Sequence, residues 1–270
     1  MKVIANGIAQ FYRRVGSGPP IVLIHALGLD HRLWNEQVSQ LAPSFQVIAY
    51  DVRGHGATDV PPGPYTLSDF AEDLADLLDA LGIDKAHLVG ISMGGLIAQE
   101  FALTWPERVY SLVLADTASE YKQEARRQFA ERARIAEERG IAPLIEPTID
   151  RWFTREFRER RPDEVNRIRS ILSEAHADGY AASCRAIARA DLTERLVNIT
   201  VPTLVLVGSE DHSTTPEMAL EIHEHIPGSQ FLVIEGAAHL TNVAKPHEFT
   251  RAIVETVKRS KADTTEDDAV

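Results

Sequence analysis

The stretch Ala86-His87-Leu88-Val89-Gly90-Ile91-Ser92-Met93-Gly94-Gly95-Leu96 decides how this chain is read. A short β-rich run closes at Gly90, and an almost wholly apolar helical run, Leu96–Leu103, follows Gly95. Ser92 therefore falls on a strand–turn–helix corner within a G-x-S-x-G pattern. Such a corner holds its serine in a strained backbone conformation that lifts the hydroxyl above the edge of a sheet. Side chains two residues before and after the serine would collide with neighbouring backbone, which explains Gly90 and Gly94. The pattern predicts Ser92 as a nucleophile. The bland alternative, a glycine-rich turn with an incidental serine, does not account for the strand before it and the apolar helix behind it.

Working outward, the runs Ile21–Ile24, Gln46–Tyr50, Ala86–Gly90, Tyr110–Ala115, Thr203–Val207 and Phe231–Ile234 are short, β-rich and apolar. Continuous apolar strands alternating with helical patterns indicate a mostly parallel α/β sheet covered on both faces. Val3–Val15 reads as an edge hairpin turning at Asn6-Gly7. Between strands, Leu67, Phe70, Ala71, Leu74, Leu77, Leu78 and Leu81 recur at helical spacing, with Asp69, Glu72, Asp73, Asp76 and Asp79 expected to face water. Thr66 with Asp69 forms a capping-box pattern, and Gly82 stops that helix. The helix after Ser92 is apolar all round, as a buried helix should be.

From Ser119 to Glu194 the strand runs vanish. The segment reads as three or four helices punctuated by Gly140, Pro143, Pro147, Pro162 and Gly179, and it holds fourteen of the arginines. It is near neutral, so the remainder carries the chain's acidity. The organisation expected is a core of residues 1–118 and 195–261, a helical cap insertion over 119–194, and an acidic, disordered tail at 262–270.

A serine hydroxyl needs a base, and the base an orienting group. Asp211 follows the strand Thr203–Val207, and His239 follows Phe231–Ile234 behind the small residues Gly236-Ala237-Ala238. The order Ser, Asp, His with both partners just past strand ends suits a serine corner of this type. Asp116, which ends the strand after the buried helix, competes with Asp211 for the acid position. His223 and His225 belong to a charged helix and read as solvated. The oxyanion of an acyl transfer would need backbone donors, for which Met93 and, in the loop His25-Ala26-Leu27-Gly28, Leu27 are the candidates. Arg53-Gly54-His55-Gly56 matches no phosphate-loop pattern and reads as a structural turn. His223-Glu224-His225 lacks zinc-site spacing, so no metal is expected.

Composition excludes several classes of function. The 270 residues are 44% apolar and 25% charged, ordinary values for a folded chain. A net charge of −12 repels phosphate backbones and anionic lipid, so no nucleic-acid or membrane partner is expected. No run of about 18 uncharged apolar residues occurs. With a single cysteine, Cys184, and no signal-like start, the expected compartment is the cytoplasm.

Several stretches together resemble the α/β-hydrolase superfamily and, within it, the 3-oxoadipate enol-lactonases. They are His25–Trp34, Tyr50–Ala57, Arg151-Trp152-Phe153-Thr154, Gly179–Cys184 and Ala238-His239-Leu240-Thr241-Asn242-Val243. The resemblance implies an α/β-hydrolase fold with an inserted helical cap, and hydrolysis of a small-molecule carboxylic ester or lactone with no cofactor. Carried onto this chain, it makes Ser92 nucleophile, Asp211 orienting acid and His239 base, with Leu27 and Met93 as oxyanion donors. Trp152 would be a cap residue over the substrate, and Arg151 beside it a candidate contact for a substrate carboxylate. The same motifs occur in broad carboxylesterases, N-acyl-homoserine lactonases and perhydrolases of the haloperoxidase type. A non-catalytic ligand receptor on the same scaffold is the alternative from another class.

Overall fold

The computed structural model describes residues 1–267, with side chains to Ser260. Asn6 and Gly7 adopt φ of 50° and 72°, as a tight hairpin turn requires, and join β1 (Lys2–Ala5) to β2 (Ile8–Val15). Then β3 (Pro20–Ile24), α1 (Asn35–Leu41), β4 (Gln46–Tyr50), α2 (Leu67–Ala80), β5 (Ala86–Ile91), α3 (Met93–Thr104) and β6 (Val109–Ala115) alternate. A helical segment follows: α4 (Gln123–Arg139), α5 (Ala142–Trp152), α6 (Arg155–Arg160), α7 (Pro162–Ser173) and α8 (Ala177–Ala188). The chain returns to the sheet with β7 (Thr203–Gly208), α9 (Pro216–His225) and β8 (Gln230–Ile234), and ends in α10 (Thr241–Ala244) and α11 (Pro246–Asp267).

The sheet order is β1-β2-β4-β3-β5-β6-β7-β8, with β2 antiparallel to both neighbours and every later pair parallel. All residues of β5 and β7 are buried, as doubly covered strands must be, whereas edge strand β8 is only half-buried. α3 is buried from Met93 to Ala102 and lies against β5. That packing leaves no room for side chains at the corner: a Cβ on Gly90 would lie 2.1 Å from the Gly94 carbonyl oxygen, and one on Gly94 2.1 Å from that of Ile24. No helix among the described residues is long and apolar enough to cross a membrane.

Four expectations change. Asp73, expected at the water-facing side of α2, is buried: Arg53 binds it through Nε at 2.5 Å and Nη2 at 2.7 Å, and Asn6 Nδ2 donates to it at 2.9 Å. The β1–β2 hairpin covers that face of α2, so the turn Arg53–Gly56 supplies the buried charge's partner. Both directions of the Thr66–Asp69 capping box form as expected. The arginine-rich segment holds five helices rather than three or four, because Thr154 caps α6 and Pro162 opens α7 within one short run. Pro147 does not interrupt α5 but lies inside it. The expected tail at 262–270 falls partly on α11, whose backbone is helical to Asp267, and otherwise lies outside the described residues.

The helical segment docks on the core through close backbone contact and charge. A Cβ on Gly179 of α8 would lie 2.1 Å from the Gly54 carbonyl oxygen. Arg32 spans Asp30 of the core at 2.6 Å and Glu174 after α7 at 2.7 Å. The steric argument at the corner gives a direct expectation. Gly94→Ala, whose Cβ meets immovable backbone, should cost about 2–3 kcal/mol in urea unfolding. Gly140→Ala, with nothing within 4 Å but a φ of 74°, should cost only about 1 kcal/mol.

Candidate active site

Ser92 bridges β5 and α3 with φ 55° and ψ −116°, a conformation that L residues avoid. Its Oγ lies 2.9 Å from His239 Nε2. On the far side of that ring, Nδ1 lies 2.8 Å from Asp211 Oδ2. Asp211 is an acceptor only, so Nδ1 carries the proton and Nε2 is left to accept from the Ser92 hydroxyl. Asp211 stands in the loop after β7, and His239 in the loop after β8.

Asp211 is thoroughly held. Its Oδ1 accepts the backbone N–H groups of Ser213 and Thr214 at 2.7 and 3.1 Å, and its Oδ2 accepts the Thr214 hydroxyl at 2.8 Å. Of the two carboxylates weighed from the sequence, it is Asp211 that bonds to His239. Asp116 points elsewhere, accepting from Gly208 N–H at 3.0 Å and from Thr241 N–H and Oγ1 at 3.1 and 2.6 Å. Burial by itself would lower the pKa of His239, but the charge and hydrogen bond of Asp211, with Asp116 beyond, outweigh it and raise the pKa above its ordinary value. Arg151 works in the opposite direction.

Of the two backbone donors expected from the sequence, Met93 directly follows Ser92 and Leu27 stands in the loop after β3. Met93 opens α3, so its N–H is among those at a helix start that have no intrahelical acceptor. Leu27 lines the same cavity as Ser92. The loop that carries Leu27 is pinned by His25, a buried residue whose Nδ1 donates to Ala26 C=O at 2.8 Å while Nε2 accepts Val52 N–H at 2.9 Å. Burial lowers the pKa of His25, so the ring stays neutral and keeps both bonds.

Above Ser92 the cavity is closed by α4, α5 and α8 and encloses about 90 Å³. Trp152 lies over His239 in a stacked arrangement, ring centroids 6.4 Å apart at 26°, and its carbonyl accepts Leu240 N–H at 3.4 Å. Arg151 and Arg132 both line the cavity. Arg151 Nη2 donates to Thr148 Oγ1 at 3.0 Å, and the Arg132 guanidinium sits 4.1 Å from the centre of the Phe129 ring. Among the described residues, neither has a carboxylate within 4.0 Å. By contrast, Arg134, Arg155, Arg160, Arg169 and Arg185 of the same segment are all ion-paired. Burial, and then Arg132, lowers the pKa of Arg151, the mark of a cation lacking a counter-charge.

Sequence reading missed Arg132, Thr214 and His25. Thr214 had a signal, since a Thr three residues after an Asp can bond its carboxylate. Arg132 had none, because only the packing of α4 on α8 brings it to the cavity. His223 and His225 differ from expectation in being half-buried, with His223 Nδ1 2.7 Å from Ser229 Oγ and its ring stacked on Phe231. Asp30, His31 and Asp51 gather ligand-type atoms within 4.8 Å of one another. Those atoms are already engaged: Arg32 holds both oxygens of Asp30, and Asp51 accepts from His31 and from Ala57 N–H.

The chain matches the family described as the alpha/beta hydrolase fold over residues 19–246. It is 40% identical over 233 residues to "3-oxoadipate enol-lactonase 1" of Acinetobacter baylyi, covering 86% of each chain. Among solved structures, the enol-lactonase from Burkholderia xenovorans superposes with a TM-score of 0.92 at 33% identity, covering 96% of this chain and 100% of that one. A thermophilic esterase from Thermogutta terrifontis, in a malate-bound structure, superposes with a TM-score of 0.91, also at 33% identity, covering 96% and 98%. The chain belongs to the α/β-hydrolase family.

Proposed function

We propose that the protein hydrolyses a small carboxylic ester or lactone through an acyl-Ser92 intermediate, with an anionic enol-lactone of the 3-oxoadipate type as the preferred substrate. The observation that carries this reading is the hydrogen-bonded line Ser92–His239–Asp211 opening on a cavity that holds two guanidiniums without counter-charges. In this reading, residues 119–194 act as a cap on a core of 1–118 and 195–261.

His239 Nε2 takes the hydroxyl proton as Ser92 Oγ attacks the acyl carbon, and Asp211 stabilises the imidazolium. The N–H groups of Leu27 and Met93 receive the developing oxyanion. The tetrahedral intermediate collapses with cleavage of the C–O bond, and His239 returns its proton to the leaving oxygen. In a lactone that oxygen stays tethered to the acyl group. His239 then removes a proton from water as its oxygen attacks the acyl carbon, and returns that proton to Ser92 Oγ as the acyl C–Oγ bond breaks.

Two features favour a compact anion. The cavity above Ser92 is small, about 90 Å³, which suits a compact acyl group. Arg151 and Arg132 offer a carboxylate charge-assisted bonds, and no carboxylate of the described residues lies within 4.0 Å of either. The similarity to the A. baylyi and B. xenovorans enol-lactonases supports the same substrate class. A broad carboxylesterase is the second reading, favoured by the likeness to the T. terrifontis esterase.

The first test is kcat/KM for 3-oxoadipate enol-lactone, a long-chain acyl-homoserine lactone and a short p-nitrophenyl ester. Preference for the enol-lactone is expected, and preference for either neutral compound would overturn the substrate assignment. Ser92→Ala should lower turnover by ~10⁴-fold or more with an unchanged melting temperature. His239 must be neutral to act as base, so its raised pKa means that activity is full above that pKa and fades as pH falls through it. The acid limb of kcat/KM should therefore lie above 6.5, the ordinary histidine value. Replacing Arg151 or Arg132 by Met should reduce kcat/KM for the anionic lactone about ten- to a hundredfold, and affect the neutral ester far less, in assays well above that limb.

A further inference from the structure

β6 ends at Ala115, and the tripeptide Ala115-Asp116-Thr117 touches every segment of the Ser92–His239–Asp211 line. The Ala115 carbonyl accepts Ser92 N–H at 2.9 Å, and Thr117 Oγ1 donates to the Ser92 carbonyl at 2.7 Å. Both peptide groups of the strained serine are thus tied to one strand end. Asp116 itself turns at φ 45° and is fully buried. Its Oδ1 accepts the N–H of Gly208, three residues before Asp211. Its Oδ2 accepts the N–H and hydroxyl of Thr241, two residues after His239. A single side chain therefore spans the loop that carries the acid and the loop that carries the base, without bonding to either group.

We propose that Ala115–Thr117 is the positioning device of this site, and that Asp116 is a positioning residue that sets the His239 loop against the Asp211 loop. The inference rests on the serine-hydrolase reading above. Asp116 is not a spare acid, since both of its oxygens accept from the two loops and His239 Nδ1 is held by Asp211.

The charge of Asp116 provides a readout that a purely mechanical strut would lack. The groups facing it are Asp211 from the loop after β7, and His239 and Thr241 from the loop after β8. On the cap side, Arg151 of α5 acts on His239. Burial, and then the charge of Asp211, pushes the carboxyl of Asp116 up to about 8. Its negative charge, when present, favours the imidazolium form of His239 and so raises the pKa of the base.

The test is the rate at which a fluorophosphonate labels the protein, measured from pH 5 to 9.5. In labelling, Ser92 Oγ forms a bond to phosphorus, fluoride leaves and His239 takes the hydroxyl proton, so no knowledge of the natural substrate is needed. Asp116→Asn, which turns an amino group toward one of its former donors and removes a charge that raises the His239 pKa, should label about tenfold or more slowly and carry its acid limb to lower pH, with a cooperative melt retained. Thr241→Val should also label slowly, and Thr241→Ser should restore the wild-type rate. Should Asp116→Asn fail to fold, the Thr241 pair carries the test. Rates and profiles of Asp116→Asn and Thr241→Val that overlay wild type would overturn the inference alone. Labelling of Ser92→Ala at the wild-type rate would overturn the serine reading and this inference with it.

Discussion

Everything in the site hangs on holding Ser92 at φ 55° and ψ −116°. A residue in such a sparsely populated region costs about 1–3 kcal/mol and persists only where its surroundings over-determine it. Here the surroundings are β5 and α3, both almost entirely buried, together with Ala115 and Thr117, which grip the two peptide groups of the serine. Each fully buried Leu or Ile side chain in those elements contributes about 1.5–3 kcal/mol, so a few of them offset the strain. Gly90 and Gly94 follow from the same constraint. Strand and helix approach so closely at the corner that a Cβ at either position would strike a backbone carbonyl.

The sheet converts that one strained residue into a constellation. β5, β6, β7 and β8 are parallel neighbours, so their C-terminal ends lie side by side. Ser92, Asp116, Asp211 and His239 each follow one of those ends. Residues separated by more than a hundred positions in the chain therefore meet within hydrogen-bonding distance, while each loop has only a few residues to arrange. The twist and spacing of the sheet do the long-range work, and the hydrogen bonds of Asp116 and Thr214 refine the remainder.

Charge is divided unevenly between the two parts of the molecule. The chain as a whole carries −12, whereas the arginine-rich helices are near neutral. Most of their arginines make exposed ion pairs within one helix or between adjacent helices, contacts that contribute about 0–1 kcal/mol each and serve mainly solubility. Arg132 and Arg151 differ because they line the cavity, with no carboxylate of the described residues within 4.0 Å. An anion entering from water meets a repulsive surface overall and a local pair of cations only above Ser92. The helices that carry those cations are seated on the core by Gly54 against Gly179, by Arg32 and by the bond from Leu240 to the Trp152 carbonyl. In the proposed function, that seating sets the distance between the two guanidiniums and Ser92.

The sequence by itself determined the alternation of strand and helix, the corner at Ser92 and the strand ends from which Asp211 and His239 project. These features are written in local patterns: apolar runs, glycine spacing and loop position. Strand order and the burial of Asp73 were not legible, because Asp73 lies at a solvent-facing position of its own helix and only the β1–β2 hairpin and Arg53 cover it. The preference for Asp211 over Asp116 rests on loop order and resemblance, not on any local pattern. Both follow strand ends and both are buried, and only the direction each carboxylate takes shows that one bonds to His239 while the other bonds to the loops. Arg132 was invisible for the same reason: on α4 it is one exposed-looking arginine among many, and its place in the cavity comes from the packing of α4 on α8. Local sequence dictates what a segment can be, but which side chains face one another across segments depends on long-range packing, and only the tertiary structure decided that.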